Sequence, residues 1–294
     1  MSINTGKIKK EKTIKELLEF SILNIDKPSG PTSFDISDFV RKKLGLRKTS
    51  HFGTLDPKVT GVLPIALNRA CRLTGDFLGH DKTYVGIMRF HEEVELNKIR
   101  KIIEDKFTGK IMQKPPVRSR VVRQLREREV KRFEIIEQEG KDFLFVAEVQ
   151  GGTYIRKLID DLGKELGVNA HMLELRRVQA GIFSENDPES VNLYDFEKAV
   201  EEYSNGDEEN LRKILIPAEI VSRIYPVVMI KKDNLKQIYT GKPLMNKDLV
   251  KKEDLETGEK IVVFCESNFI GTYRVVNEKD IFAKADFVIQ PIKS

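Results

Sequence analysis

The sequence predicts a mixed α+β domain followed by a small, separate β domain, and three observations carry that fold class. Strand-like and helix-like segments are interspersed through residues 21–223 without the strand–helix–strand beat of a doubly wound sheet, and no glycine-rich phosphate loop opens a helix. From Pro226 onward the helical patterns give way to short β-rich runs separated by turn residues. A length of 294 residues suits about two domains with well-filled cores. The expected organisation is an N-terminal arm over 1–20, a main domain on a mixed or antiparallel sheet over 21–223, and a barrel-like β domain over 224–294.

The arm is charged and ends in a short helix over 14–20. Residues 21–25 read as an apolar strand, and Asp26-Lys27-Pro28-Ser29-Gly30-Pro31 as a dense turn. Thr32 or Ser33 then caps a helix whose inner face is Ile36, Phe39, Val40 and Leu44, closed by Gly45. A buried strand is expected over 62–67, a helix over 68–78, a strand over 83–90 and a helix over 96–107. Residues 143–149 form a strand running into Gly151-Gly152-Thr153, and 154–166 a helix with Ile155, Leu158, Ile159 and Leu162 inward and Gly167 as its stop. Acidic helices over 193–214 break at Asn205-Gly206-Asp207, and the tail carries strands near 227–230, 261–265, 269–276 and 287–289.

Composition excludes several classes. The chain has 40% hydrophobic and 33% charged residues, a globular rather than a disordered balance. Only Cys71 and Cys265 are present, which argues against a disulfide framework and fits a reducing cytoplasm. With four histidines and no Cys-x-x-Cys, no structural zinc site is expected. No apolar run has membrane-spanning length, and the charged N-terminus lacks the apolar core of a secretory signal.

Residues 51–61, His-Phe-Gly-Thr-Leu-Asp-Pro-Lys-Val-Thr-Gly, set one carboxylate, Asp56, in a stiff turn. Pro57 disfavours the helical region for Asp56, and Gly53 and Gly61, lacking Cβ, are read as giving a bulky planar ligand close access to the backbone. Asp-Pro alone is a common turn dipeptide, so the rest of the chain must support the chemistry. Positive charge concentrates over 114–132, where eight lysines and arginines face Glu127 and Glu129. Gln113, Pro115 and Pro116 open this stretch as an irregular loop. It is either a solvated charged face or an arm whose arginine forks grip phosphates.

These stretches resemble, in family order, the motifs of the TruB-type pseudouridine synthases. Residues 23–33 resemble the first motif and 51–64 the one carrying the catalytic aspartate. Lys82-Thr83-Tyr84 resembles the base-stacking motif. Gly152-Thr153-Tyr154-Ile155-Arg156 with Asp160-Asp161-Leu162-Gly163 resembles the motif whose arginine pairs with the aspartate, and Leu175-Arg176-Arg177 the strand that follows. The resemblance implies a pseudouridine synthase catalytic domain over 21–223, with Asp56 as the reacting carboxylate, Arg156 as its partner and Tyr84 on the target base. His51, Lys58, Tyr154, Arg177 and the loop arginines Arg118, Arg120 and Arg123 are expected to contact RNA. Ser50 and Phe52 depart from the small residues the family shows beside the histidine. Isomerising uridine needs neither a redox cofactor nor a metal, so none is expected.

The residues Asp56-Pro57-Lys58-Val59-Thr60-Gly61, the thumb-like run over 113–128 and a PUA-like tail further resemble the archaeal dyskerin branch, the catalytic subunit of H/ACA particles. That implies as partners a box H/ACA guide RNA, an rRNA or tRNA substrate, small accessory proteins and a kink-turn-binding ribosomal-type protein. The alternatives are a stand-alone tRNA pseudouridine-55 synthase and a catalytically silent RNA-binding scaffold.

Overall fold

A computed structural model describes residues 3–115 and 122–291. In chain order the first part contains α1 (Thr5–Glu11), α2 (Ile14–Glu19), β1 (Ser21–Lys27), α3 (Ser33–Lys43), β2 (Thr49–His51), β3 (Thr60–Leu67), α4 (Thr74–Leu78), β4 (Lys82–Phe90) and α5 (Leu96–Ile102). There follow β5 (Gly109–Gln113), β6 (Arg126–Glu139), β7 (Asp142–Val149), α6 (Ile155–Glu165), β8 (Ala170–Ala180), β9 (Phe183–Ser184), β10 (Ser190–Asn192), α7 (Leu193–Ser204), α8 (Glu209–Ile214) and β11 (Leu215–Pro217). The tail holds β12 (Val227–Met229), α9 (Leu235–Tyr239), β13 (Leu244–Met245), β14 (Lys260–Cys265), β15 (Asn268–Glu278) and β16 (Ile281–Val288).

Among the described residues, eleven strands join one mixed sheet along the path β10-β1-β3-β8-β4-β7-β6-β5, and five form a second, β12-β14-β15-β16-β13. This is the expected α+β class. One line of paired residues crosses the first sheet from Lys27 to Gly61, Arg177, Tyr84, Ala147 and Phe133. Distant motifs thus meet in one row. The β3–β8 join within it is parallel and short, Thr60 with Arg176 and Gly61 with Arg177, so the two strands diverge beyond it.

The helices form where their termini are satisfied. Thr32 accepts the Asp35 amide while the Asp35 carboxylate accepts the Thr32 amide, a reciprocal cap that starts α3. Its last turn carries Arg41, Lys42 and Lys43, and Gly45 leaves it at φ +61°. In α6 the buried face is Ile155, Leu158, Ile159, Leu162 and Gly163. A side chain at Gly163 would meet the Ala170 backbone, so the glycine lets α6 lie directly on β8.

Three segments differ from expectation. The helix expected over 68–78 is a 3₁₀ turn, Asn68–Leu73, followed by α4, because Asn68 sits at φ +43° with its side chain accepting the Arg47 and Lys48 amides. The helix expected over 96–107 loosens into a π turn at Ile103–Phe107. The end of the basic stretch, 126–132, is the start of the long strand β6, paired with β5 and β7. Arg118 and Arg120 lie outside the described residues.

The N-terminal helices pack beside β11. The Arg212 guanidinium donates to the carbonyls of Lys9 (2.9 Å) and Lys12 (2.8 Å), and Lys12 pairs with the buried Glu219. The second sheet has its own core, including Val228, Val263, Ile270 and Tyr273. It meets the first through a shared apolar cluster containing Phe20, Phe52, Phe77, Phe264 and Phe269, in which Phe20 stacks on Phe269 at 5.3 Å. Burying each such ring contributes roughly 1.5–3 kcal/mol. Among the described residues, no helix is long and apolar enough to cross a membrane.

Candidate active site

The Asp56 turn is held by its main chain. The Val59 amide donates back to the Asp56 carbonyl at 2.9 Å, closing the turn. The hydroxyl of Ser33, at the start of α3, donates to the Leu55 carbonyl (3.1 Å) and accepts the Leu55 amide (2.8 Å). The Gly30 amide donates to the Pro57 carbonyl at 2.9 Å. Lys27, fully buried at the end of β1, donates to the carbonyls of Pro28, Pro57 and Val59, each at 2.9 Å. The dense turn after β1 therefore clamps the Asp56 turn, which agrees with a structural rather than chemical reading of Lys27. Leu55 and Val59, on either side, insert into the main core that also contains Tyr84 and Ile155. Anchored this way, Asp56 itself stands half exposed.

Arg156, in the first turn of α6, reaches it with Nη1 at 3.2 Å from Oδ2. Ile155, next in sequence, is 4% exposed and fixes that helix start in the same core. The expected carboxylate–arginine pair is thus assembled from the Asp56 turn and the start of α6. Gln113, which is buried, clamps the backbone leading into α6: its side chain donates to the Tyr154 carbonyl (3.2 Å) and accepts the Tyr154 amide (3.0 Å). In the sequence Gln113 reads only as the start of a loop. Its one signal there is an amide side chain beside two prolines, which specifies no partner.

Cations lie beneath the turn. Arg177 was expected to contact RNA, yet it is 1% exposed, with Nε donating to the Val62 carbonyl (2.8 Å) and Nη2 to the Gly53 carbonyl (3.0 Å). In a strand, neighbouring residues point to opposite faces, so Arg176 and Arg177 separate. Arg176 pairs with Asp26 and Glu185, and Arg177 goes inward. The glycines are explained by the backbone. Gly53 and Gly61 sit at φ +106° and +100°, in the left-handed region that favours glycine, and a Cβ on Gly61 would also collide with the Arg177 carbonyl.

Two lysines share this environment. Burial lowers the pKa of Lys27, with Asp56 opposing that shift and Arg177 adding to it. Burial, assisted by Arg177, pushes Lys82 down to about 8, and its ammonium donates to the carbonyls of Leu78 and His80. Such a bed of positive charge favours a polyanion approaching from solvent.

The other expected residues fall into two groups. Lys58 is exposed on the turn, Tyr154 is half-buried at the start of α6, and Arg123 is exposed with Nε donating to the Pro115 carbonyl at 3.3 Å. His51 is half-buried, its Nδ1 buried without a protein partner, and burial followed by Arg177 holds its imidazole below the ordinary range. Tyr84 is 8% exposed and belongs to the main core, so little of its ring is open to a base. Phe52, the residue that departs from the family pattern, is buried and stacks on Phe77 at 4.7 Å. Among the described residues, no cluster of three or more His, Cys, Asp or Glu side chains is placed to hold a metal. A cavity of about 310 Å³ lies behind the turn, lined by Asp26, Lys27, Thr60, Arg176 and Tyr194 among others.

Comparison with known proteins gives the same class. Residues 41–155 match the family described as TruB family pseudouridylate synthase (N terminal domain), and 156–221 match the tRNA pseudouridylate synthase B C-terminal domain. A probable tRNA pseudouridine synthase B of Methanocaldococcus jannaschii is 40% identical over 86% of this chain and 75% of its own. One from Pyrobaculum calidifontis is 36% identical over 97% and 88%. A crystal structure of a Cbf5-Nop10-Gar1 complex superposes with a TM-score of 0.87 at 35% identity, covering 96% of this chain and 89% of that one. The structure of an H/ACA RNP bound to a substrate RNA containing 2'-deoxyuridine gives 0.86 at 33%, over 96% and 89%. Fold and likeness define an RNA-modifying isomerase. The chain belongs to the TruB family of pseudouridine synthases.

Proposed function

We propose that this synthase works as the catalytic subunit of a guide-directed particle, with Asp56 as its reacting carboxylate. The observation that carries the guided reading is the extent of the likeness to the two H/ACA structures. It runs over 96% of the chain, second sheet included. On this reading the partners are a box H/ACA guide RNA, its rRNA or tRNA substrate, and accessory proteins of the kinds that accompany the structural neighbours. The catalytic domain occupies 21–223, and residues 224–294 bind RNA.

In the reaction, the bond between the uridine sugar C1′ and base N1 breaks, the base turns, and C1′ bonds to C5. The C5 proton is lost and N1 gains one, so no electrons are exchanged with a cofactor. Asp56 acts at the sugar, either by attacking C1′ or by removing a sugar proton. Arg156, with Nη1 at 3.2 Å from Oδ2, holds the carboxylate's direction. The uridine must leave its stack for its sugar to reach Asp56, and Tyr84 and Tyr154 supply the pocket walls in this proposal. Lys58, His51 and the arm arginines Arg118, Arg120 and Arg123 face the RNA backbone in this proposal.

A second reading is a stand-alone tRNA synthase, favoured by the name that the curated relatives carry. Release of tritium from RNA labelled at uridine C5 separates the two, because each turnover frees that hydrogen. Release that requires a box H/ACA guide and accessory proteins supports the guided enzyme. Release from a bare tRNA transcript, unaffected by a guide, overturns it in favour of the stand-alone one.

A further inference from the structure

The short helix α4 touches three parts of the molecule at once. On one side Phe77 stacks on Phe52, the residue that follows β2 and begins the Asp56 loop, with ring centroids 4.7 Å apart and planes within 12°. At its C-terminal end, Gly79 lies under Gly151: a Cβ on Gly151 would meet the carbonyls of Gly79 and His80. Gly151 opens the turn that leads to Arg156. On its third side Asp76, only 7% exposed, accepts the Tyr225 hydroxyl at 3.0 Å and pairs with Lys260 at 2.5 Å. Tyr225 lies two residues before β12 and Lys260 begins β14, so both partners belong to the part of the chain that carries the second sheet.

Apolar contact such as Phe20 on Phe269 holds the two sheets together without fixing their angle, since it is non-directional. A buried carboxylate shared by a hydroxyl and an ammonium fixes direction, because each bond works over a narrow range of geometry. Burial, with the Asp76 charge beside it, pushes the Tyr225 phenol up to about 12, so it remains a donor at working pH. The Lys260 ammonium also lies 5.5 Å from the Tyr225 ring centroid, which ties the two partners into one unit.

We propose that Asp76 is a positioning residue: it registers α4 against the second sheet, and α4 in turn sets the spacing between the Asp56 loop and the turn bearing Arg156. This rests on the reading of Asp56 and Arg156 as the reacting pair. On this view the second sheet affects the rate of the chemical step as well as RNA affinity.

The test uses the full chain, with its particle components if the wild type needs them. Asp76→Asn, Asp76→Glu, Tyr225→Phe and Asp56→Asn are compared with wild type. The readouts are single-turnover rate at saturating RNA, RNA Kd, unfolding midpoint, and amide hydrogen exchange over 51–56 and 151–156. Expected for Asp76→Asn is a rate lower by about tenfold to a hundredfold, the upper figure being what a misplacement of about 1 Å can cost, with Kd nearly unchanged and faster exchange in both segments. Asp76→Glu restores most of the rate. If Asp76→Asn unfolds too readily to measure, Tyr225→Phe, which keeps the ion pair, shows a smaller loss of rate with the same exchange pattern. Full rate and unchanged exchange in the variants overturn the proposal, as do losses of rate and affinity in equal proportion. Turnover retained by Asp56→Asn instead overturns the Asp56 reading, while the exchange data still decide the role of α4.

Discussion

The Asp56 turn and the basic stretch over 114–132 are both rich in charge, yet they are built in opposite ways. The turn is fixed by donors acting on its main chain, from the buried side chains of Lys27 and Ser33 and from the Gly30 amide. The described end of the stretch, 126–132, enters the strand β6, where charged residues find exposed partners, such as Lys110 with Glu127 and Arg132 with Glu134. Exposed pairs of this sort contribute about 0–1 kcal/mol each. Buried donors matter more, because removing one leaves its acceptors without partners. Position in the first region is therefore set by the protein alone, and charge in the second is left available to a polyanion.

The sharpest way to break that division is Asp56→Asn. Product should fall below detection in the tritium assay while RNA affinity stays nearly unchanged; turnover close to wild type would remove Asp56 from the chemistry. Next is Lys27→Met, which strips the donor from three buried carbonyls. A loss of about 3 kcal/mol in urea unfolding is expected, together with a lower rate at saturating RNA. Wild-type stability would mean that the clamp is redundant.

Smaller effects belong to the basic stretch. Replacing Arg118, Arg120 and Arg123 by glutamine should weaken binding and take about 0.7–0.9 off the salt slope for each phosphate these arginines neutralise. The rate at saturating RNA should hold. A matching fall in rate would show that grip and chemistry are not separable.

The smallest effect is in pH. Lys82 has its folded pKa pushed down to about 8 against an ordinary 10.5. Between those values the unfolded chain binds more protons, so this group makes stability rise with pH through that window. The unfolding midpoint of wild type relative to Lys82→Met should increase from pH 8 to pH 10. A flat difference would show that the ammonium is not desolvated.

Local chemistry makes the turn readable in the sequence, whereas long-range pairing hides the arm. The α3 cap at Thr32, the strand over Thr60–Leu67 and the α6 face all follow short-range rules of capping and periodicity. The pairing of Asp56 with Arg156 is legible only through ordered motifs, since a hundred intervening residues separate two ordinary charged side chains. At the start of β6, Arg126-Glu127-Arg128-Glu129 alternates in sign but not in polarity. A period of two in hydrophobicity is therefore missing until Val130 and Phe133. Arg177 misleads for a related reason. A buried arginine is recognised by the carbonyls it meets, and those come from Gly53 and Val62, more than a hundred residues earlier. The two glycines signal a close approach, but the sequence does not say by what.

The clamp on the Asp56 turn touches main-chain oxygens and amides at Leu55, Pro57 and Val59. Outward side chains on that turn, Lys58 foremost, are thus free to drift between lineages or to be redesigned for a different RNA without moving the acid. Transplanting this carboxylate to another scaffold would require carrying over the lysine and serine that lie some twenty to thirty residues upstream, and little of the sequence beside the aspartate itself.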